Sequence, residues 1–183
     1  MNDCEFQLGV LRPVMPVRLA RIGIDEWAAV RYVHARAFER LAAPYLEPDE
    51  VLMFTNKVAS PEYTDDLMTE NLCGAWIERE LAGTAGWRPA DDNGRTARIT
   101  AVFVNPMFAR LGIGSRLLTD AEARAGQAGY RSFSARATPN AVGFFALHGY
   151  EVSSHGTSHL APDTDVPITY MRKSAMASAP LVR

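Results

Sequence analysis

The stretch from Val102 to Ser115 constrains the fold more than any other part of the 183-residue chain. Val102-Phe103-Val104-Asn105-Pro106 reads as the end of a strand, and Ala109-Arg110-Leu111-Gly112-Ile113-Gly114-Ser115 opens a helix directly after it. From Gly112 onward Ile113, Leu117, Ala121 and Ala125 fall on one helical face, with Arg116, Asp120 and Arg124 off it. The first turn of such a helix presents unpaired backbone N–H groups and the positive end of the dipole, and glycines let an anion approach that backbone closely. A strand that feeds a glycine-marked helix start is therefore an anion site built from main chain.

Two familiar anion loops do not fit. A dinucleotide fingerprint needs a third glycine where Leu117 stands and an opening βαβ unit, which the preceding sequence does not supply. The phosphate-binding loop of NTPases needs Gly-Lys-Ser/Thr, a run this sequence lacks.

The rest of the chain organises around that joint. Val14 to Ala20 reads as a strand, and Asp25 as the cap of a helix burying Trp27, Val30, Val33, His34, Ala37, Phe38 and Leu41 until Pro44 ends it. Further helices are expected near Pro48 and at Ser60-Pro61-Glu62, where Ser can cap and Pro suits the first turn. Cys73–Glu78 and Leu81–Trp87 are apolar runs about a charged turn at Arg79-Glu80, which signals a hairpin. Asp91-Asp92-Asn93-Gly94 supplies another turn, and Arg95 to Val104 a third antiparallel strand. A strand at Ser132–Ala135, a short helix from Pro139 to Leu147, and strands near Glu151–Ser154 and Ile168–Met171 follow. This order predicts one α/β domain over residues 14–173, a mixed sheet with helices on both faces. Residues 1–13 are expected to be a flexible extension and 174–183 a disordered tail.

Composition narrows the function. Hydrophobic residues at 48% and charged residues at 22% support a packed core. The 19 basic and 21 acidic residues form no run of either sign, which argues against a nucleic-acid partner. No apolar stretch approaches the ~20 residues that span a bilayer, and Met1-Asn2-Asp3-Cys4-Glu5 does not read as a signal peptide. The expectation is a cytoplasmic protein without a membrane partner. Cys4 and Cys73 make neither a disulfide framework nor a zinc set, and His155 and His159 lack a third ligand, so no metal is expected.

With the joint and its surroundings in place, Val104-Asn105-Pro106-x-x-x-Arg110-Leu111-Gly112-Ile113-Gly114-Ser115 resembles the cofactor motif of the GCN5-related N-acetyltransferases. Thr138-Pro139-Asn140-Ala141-Val142-Gly143-Phe144-Phe145-Ala146-Leu147-His148-Gly149-Tyr150 resembles that family's second signature. The resemblance implies a central, mostly antiparallel sheet that splays at a cofactor groove, and acetyl-coenzyme A as co-substrate with an amine as acceptor. It also implies that Val102, Phe103 and Val104 meet the acetyl and pantetheine groups, that Arg110 to Ser115 hold the pyrophosphate with Ala109 among the cofactor-binding residues, and that Thr138 and Asn140 flank the pantetheine. A backbone N–H near Val102 and Phe103 would stabilise the oxyanion formed on attack. A homodimer is compatible with the resemblance.

Three positions depart from the pattern. Ala109 stands where the family prefers Gln or Arg, Arg98 where some members carry a glutamate base, and Phe145 where relatives use a tyrosine to protonate the leaving thiolate. Phe145 is still expected to touch the cofactor, with one of the pair Phe144 and Phe145 in the core. No catalytic side chain is assigned. His148 reads as a solvated partner of a helix end and His34 as a satisfied core or groove residue. The acidic segment from Pro44 to Glu70 would suit a cationic amine, or is simply a solvated face. Two functions follow: transfer of acetyl to a primary amine of a small molecule or protein amino terminus, or a non-catalytic coenzyme A-binding sensor or interaction module.

Overall fold

The computed structural model describes residues 16–90, 94–161 and 164–174. Among these, β1 (Val17–Arg21), β2 (Cys73–Ile77), β3 (Glu80–Pro89), β4 (Thr96–Val104), β5 (Ser132–Ala137), β6 (Glu151–Ala161) and β7 (Thr164–Ser174) form one sheet in the order β1-β2-β3-β4-β5-β7-β6. Every neighbouring pair is antiparallel except β4 with β5. The helices are α1 (Trp27–Ala37), α2 (Pro48–Ala59), α3 (Pro61–Met68), α4 (Ile113–Gln127) and α5 (Val142–Leu147). No helix of the described residues is long and apolar enough to cross a membrane.

Ser60 caps α3 as its sequence predicts, its hydroxyl accepting from the Tyr63 N–H at 3.3 Å. The cap expected at Asp25 lies elsewhere. The Glu26 carboxylate takes the Gly23 N–H at 2.5 Å, so a 3₁₀ turn over Ile24–Glu26 precedes α1 and Asp25 sits inside it. Beyond α1 the chain runs through a π-helical turn, Phe38–Ala42, and then a 3₁₀ turn, Ala43–Tyr45, whose first turn accommodates Pro44, so the helical run ends after Tyr45 and not at Pro44 as expected. The last two strands are longer than the sequence pattern suggests: β6 is largely exposed and carries no apolar alternation, whereas β7 buries Val166 and Ile168 on alternate residues with Pro167 between them. Ser174, assigned to the tail, closes β7; the rest of that tail, residues 1–13 and the Asp91-Asp92-Asn93 turn lie outside the described residues.

Two clusters make the core. Ile113, Leu117, Leu118, Ala121 and Ala125 of α4 pack on Ala97, Ile99, Phe133, Ala135 and Met171 of the sheet. On the opposite face Val30, Val33, Leu67, Leu72, Trp76 and Leu81 pack beneath α1 and α3. A bulge in β4 decides which residues meet which face. Thr84 pairs with Phe103 but Gly86 pairs with Thr100, so β4 carries one extra residue, and Ala101 there adopts φ +49°. Before the bulge Ala97 and Ile99 face α4; after it Val102 and Val104 do, while Ala101 and Phe103 turn to α1. Gly83 permits the close crossing of β3 and β4, because a Cβ there would sit 2.6 Å from the Phe103 carbonyl oxygen.

Candidate active site

β4 and β5 pair only from Thr96↔Ser132 to Ile99↔Ala135. Beyond Ile99 they part, because the bulge at Ala101 turns β4 away. The β4 edge from Thr100 to Val104 therefore faces a groove instead of a strand. That groove encloses about 520 Å³ and is walled by Val102, Phe103, Val104, Ala109, Arg110, Gly112, Ile113, Gly114, Ser115, Thr138 and Asn140.

At its end the chain enters α4 through two left-handed residues, Arg110 at φ +65° and Gly112 at φ +78°. This turn leaves the amino-terminal N–H groups of α4 open toward the groove, the arrangement that suits a diphosphate. Gly114 is needed for space: a Cβ there would lie 3.2 Å from the Phe144 ring and 3.4 Å from Val104. Across the groove the Thr138 hydroxyl donates to Asn140 Oδ1 at 2.8 Å, fixing the loop before α5.

Two expected contacts are not part of the wall. Leu111 is 53% exposed and points away from the groove lining. Phe145 is only 4% exposed and packs in the main core, 5.1 Å from Tyr150, and Phe144 lines the groove in its place. The reason is helical phase: adjacent residues of α5 point about 100° apart, so only one of the pair can face the groove. One core ring and one groove ring are present as expected, with the two exchanged.

The other wall comes from the π-helical turn and the residues after it, through Phe38, Leu41, Ala42 and Tyr45. Phe38 and Leu41 carry a helical apolar pattern in the sequence, which reads as core; nothing in that pattern shows that the face ends at a cavity. His148 also lines the groove, its Nδ1 donating to the Phe144 carbonyl at 2.8 Å.

Behind the bulge runs a buried relay. The Thr84 hydroxyl donates to the Ala101 carbonyl at 2.7 Å, so its oxygen accepts from His34 Nε2, also at 2.7 Å. His34 Nδ1 then accepts from the Tyr63 hydroxyl at 2.7 Å. His34 is 0% exposed, and burial pulls its pKa down to about 3, so the ring is neutral. Burial, followed by the charge of Glu70, raises the Tyr63 pKa and keeps its proton in place. The relay thus secures the carbonyl of the one strained residue in β4.

Glu70 is a buried acid that the sequence did not reveal; it is not part of the groove wall and lines a separate cavity with Trp27, Met68 and Arg124. Read as part of an acidic surface, its side chain is instead only 12% exposed and accepts the Thr100 hydroxyl at 2.5 Å. Arg88 Nε stands 3.8 Å from its other oxygen. Burial is the main cause that raises its pKa above the ordinary carboxylate value, against the lowering effects of Thr100, Arg88 and Arg98. A carboxylate thus lies over the stretch of β4 where the motif comparison finds Arg98 in place of an acid. The sequence signal was its position just before the buried run Leu72-Cys73-Gly74, which ties the residue to the sheet.

A mixed sheet parted beside a bulge, with a glycine-opened helix pointing into the gap, is the architecture of acetyltransferases that use coenzyme A. The family model described as Acetyltransferase (GNAT) family matches residues 28–150, and the chain belongs to that family. Among solved structures, a GCN5-related N-acetyltransferase from Rhodopseudomonas palustris is similar over 89% of this chain and 99% of its own, with a TM-score of 0.79 at 19% identity. The PaiA N-acetyltransferase from Thermoplasma acidophilum, solved with coenzyme A, gives 0.71 at 18% identity over 87% and 99% of the two chains. The N-acetylglutamate synthase from Neisseria gonorrhoeae, complexed with coenzyme A and L-arginine, gives 0.63 at 16% identity over 88% of this chain and 34% of that one. Comparison with curated proteins gives no match.

Proposed function

We propose that this protein transfers the acetyl group of acetyl-coenzyme A to a primary amine by direct attack, the acceptor being a small molecule or a protein amino terminus. The observation that carries this reading is the gap after Ile99, which leaves the β4 backbone from Thr100 to Val104 unpaired toward a groove that ends at the open start of α4. The residues present suit the co-substrate. Arg110 to Ser115 would hold the pyrophosphate through main-chain N–H groups, and Thr138, Asn140 and Phe144 would flank the pantetheine. When bound, acetyl-coenzyme A supplies an acyl group on a sulfur leaving group.

The chain's own residues supply the rest. A β4 N–H near Val102 and Phe103 stabilises negative charge on the acyl oxygen as the amine nitrogen bonds to carbon. Glu70 takes the proton that the attacking amine must lose, directly or through one water, and its raised pKa makes it a better base than a solvated carboxylate. The carbon–sulfur bond breaks to a thiolate, which with a thiol pKa near ~8.5 leaves without an obligatory acid. A reaction that consumes acetyl-coenzyme A fits a cytoplasmic protein.

A non-catalytic coenzyme A sensor would have no use for a carboxylate buried against Thr100 of β4, so Glu70 supports the enzyme reading. The test is release of free thiol from acetyl-coenzyme A over a panel of amines, with product mass confirming acetylation. Tight coenzyme A binding with no turnover on any amine would overturn the reading.

A further inference from the structure

One row of the sheet carries an unusual sequence of side chains. Arg88 on β3 pairs with Arg98 on β4, Arg98 with Ser134 on β5, and Ser134 with Arg172 on β7. Their neighbours Ile99, Ala135 and Met171 are buried under α4, so this row lies on the other face, the one that carries α1 and α3. The next row adds Arg136, whose guanidinium lies 5.7 Å from the Tyr170 ring centroid. Arg98, Ser134, Arg136, Tyr170 and Arg172 wall a cavity of about 460 Å³.

Lys173 of this cavity pairs with Glu122 at 2.6 Å, but its arginines are not neutralised. Among the described residues Arg98, Arg136 and Arg172 have no carboxylate within ion-pair distance, and Glu151, opposite Arg172 on β6, makes no ion pair with it. Glu70 is the acid whose charge reaches Arg98, and it is already engaged by Thr100 and Arg88. Burial first, then the charges of Arg136 and Arg88, pull the Arg98 pKa below the usual arginine value. Like charges are thus held together at the floor of a concavity, an arrangement that an incoming anion would relieve.

The cavity also lies where an acceptor must come from. Arg136 is the first β5 residue beyond the last rung with β4, and Thr138, two residues on, lines the cofactor groove. Arg98 precedes that rung on β4. The basic cavity thus reaches Arg136, just past the last rung, and the cofactor groove resumes along β5 at Thr138, so the two are neighbours that share no wall residue.

The geometry points to an acceptor that is an amine bearing a carboxylate, with Arg98, Arg136 and Arg172 holding the carboxylate while the amine reaches the acyl carbon. Guanidinium forks match a carboxylate with two parallel hydrogen bonds, and a cavity of this size has room for an amino acid or the end of a short peptide. The acidic segment that suggested a cationic amine does not line this cavity.

An anionic acceptor presupposes the acetyl-transfer reading, and one experiment separates them. Thiol release from acetyl-coenzyme A is measured for wild type, Arg98→Gln, Arg136→Gln and Arg98→Glu with a set of amino acids, the matching amino-acid amides and a set of diamines. Coenzyme A binding is measured by calorimetry on each protein. The wild type is expected to favour acids over amides about ten-fold or more in kcat/KM, the range that charge-assisted hydrogen bonds allow. Arg98→Gln and Arg136→Gln should raise KM for the acid about ten-fold and leave KM for the amide and the coenzyme A Kd unchanged. Arg98→Glu should shift preference toward diamines. Turnover of amides or diamines equal to that of acids, or an acid KM unmoved by both glutamine variants, overturns the anionic acceptor and leaves acetyl transfer standing. Thiol release with none of the amines overturns both.

Discussion

His34 Nε2 donates to Thr84 Oγ1 at 2.7 Å, and through that hydroxyl the first helix holds the carbonyl of Ala101, the left-handed residue of the β4 bulge. Thr84→Val removes both halves of this link and leaves a buried ring N–H unpaired, which costs roughly 1–3 kcal/mol. The variant is expected to lose that stability in urea titration and to lower kcat more than it raises the coenzyme A Kd, since it loosens the bulge and not the phosphate loop. An unchanged kcat would show that the relay is structural only.

The same histidine sets an acid limit on the fold. Its folded pKa of about 3 lies below the ordinary value of 6.5, so unfolding takes up a proton between these two values. The stability it contributes is complete above pH 6.5 and is lost as pH falls toward 3, with a slope approaching about 1.4 kcal/mol per pH unit. His34→Leu should flatten this part of the stability-versus-pH curve measured by denaturant titration. A slope that survives the substitution would assign it to other groups.

The phosphate loop separates backbone from side chain. Gly112 adopts φ +78° with nothing within 4 Å of where a Cβ would stand, so Gly112→Asp has room but adds backbone strain of roughly 1–2 kcal/mol and a negative charge beside the diphosphate. It is expected to weaken coenzyme A binding strongly in calorimetry. Arg110→Ala should cost less, since an exposed ion pair is worth only ~0–1 kcal/mol. Gly114→Val should lower the melting temperature as well as the affinity, because it meets Phe144 and Val104. Equal affinity losses from Arg110→Ala and Gly112→Asp would mean that the side chain dominates.

The parts of this site that could be read from the sequence are those written in local chemistry. Gly112 and Gly114 mark the helix start, Ser60 marks a cap, and Ile113, Leu117, Ala121 and Ala125 mark a buried stripe, each through contacts within a few residues. The relay through Tyr63, His34, Thr84 and Ala101 was not legible, because its members are separated by 29, 50 and 17 positions and meet only through the fold. Glu70 looked like surface because its neighbours Asp65 and Asp66 are exposed, and the bend after α3 that brings its side chain to Thr100 leaves no local signal. The exchange of Phe144 and Phe145 has a different cause. Two adjacent aromatic residues on a six-residue helix give no period from which to choose the buried one.

Phe145→Tyr tests that exchange. A hydroxyl added at this position enters the packed core beside Tyr150, not the groove, and an unpartnered buried hydroxyl costs roughly 1–3 kcal/mol. The variant is expected to melt earlier and to show no gain in single-turnover acetyl transfer. A gain approaching the ~100-fold expected of a positioned acid would place the ring at the thiolate after all.

Glu70→Gln separates catalysis from stability in a single substitution. The amide keeps an acceptor oxygen for the Thr100 hydroxyl and removes only the charge, which burial disfavours. Because the folded pKa of Glu70 is raised above its unfolded value, its contribution to stability is fully present below the unfolded pKa and is lost as pH rises through the folded one. At neutral pH the wild type therefore carries a destabilising charge that the variant lacks. Glu70→Gln should be as stable as wild type at about pH 7 or more so, with the difference shrinking in acid. Its kcat should nevertheless fall by ~10²–10⁴, the usual contribution of a positioned base. The wild-type rate should rise with pH along a limb displaced above the ordinary carboxylate range, and that limb should vanish in the variant, leaving only the one that follows the pKa of the acceptor amine. A variant that keeps both the limb and the rate would remove Glu70 from the reaction and leave deprotonation to water.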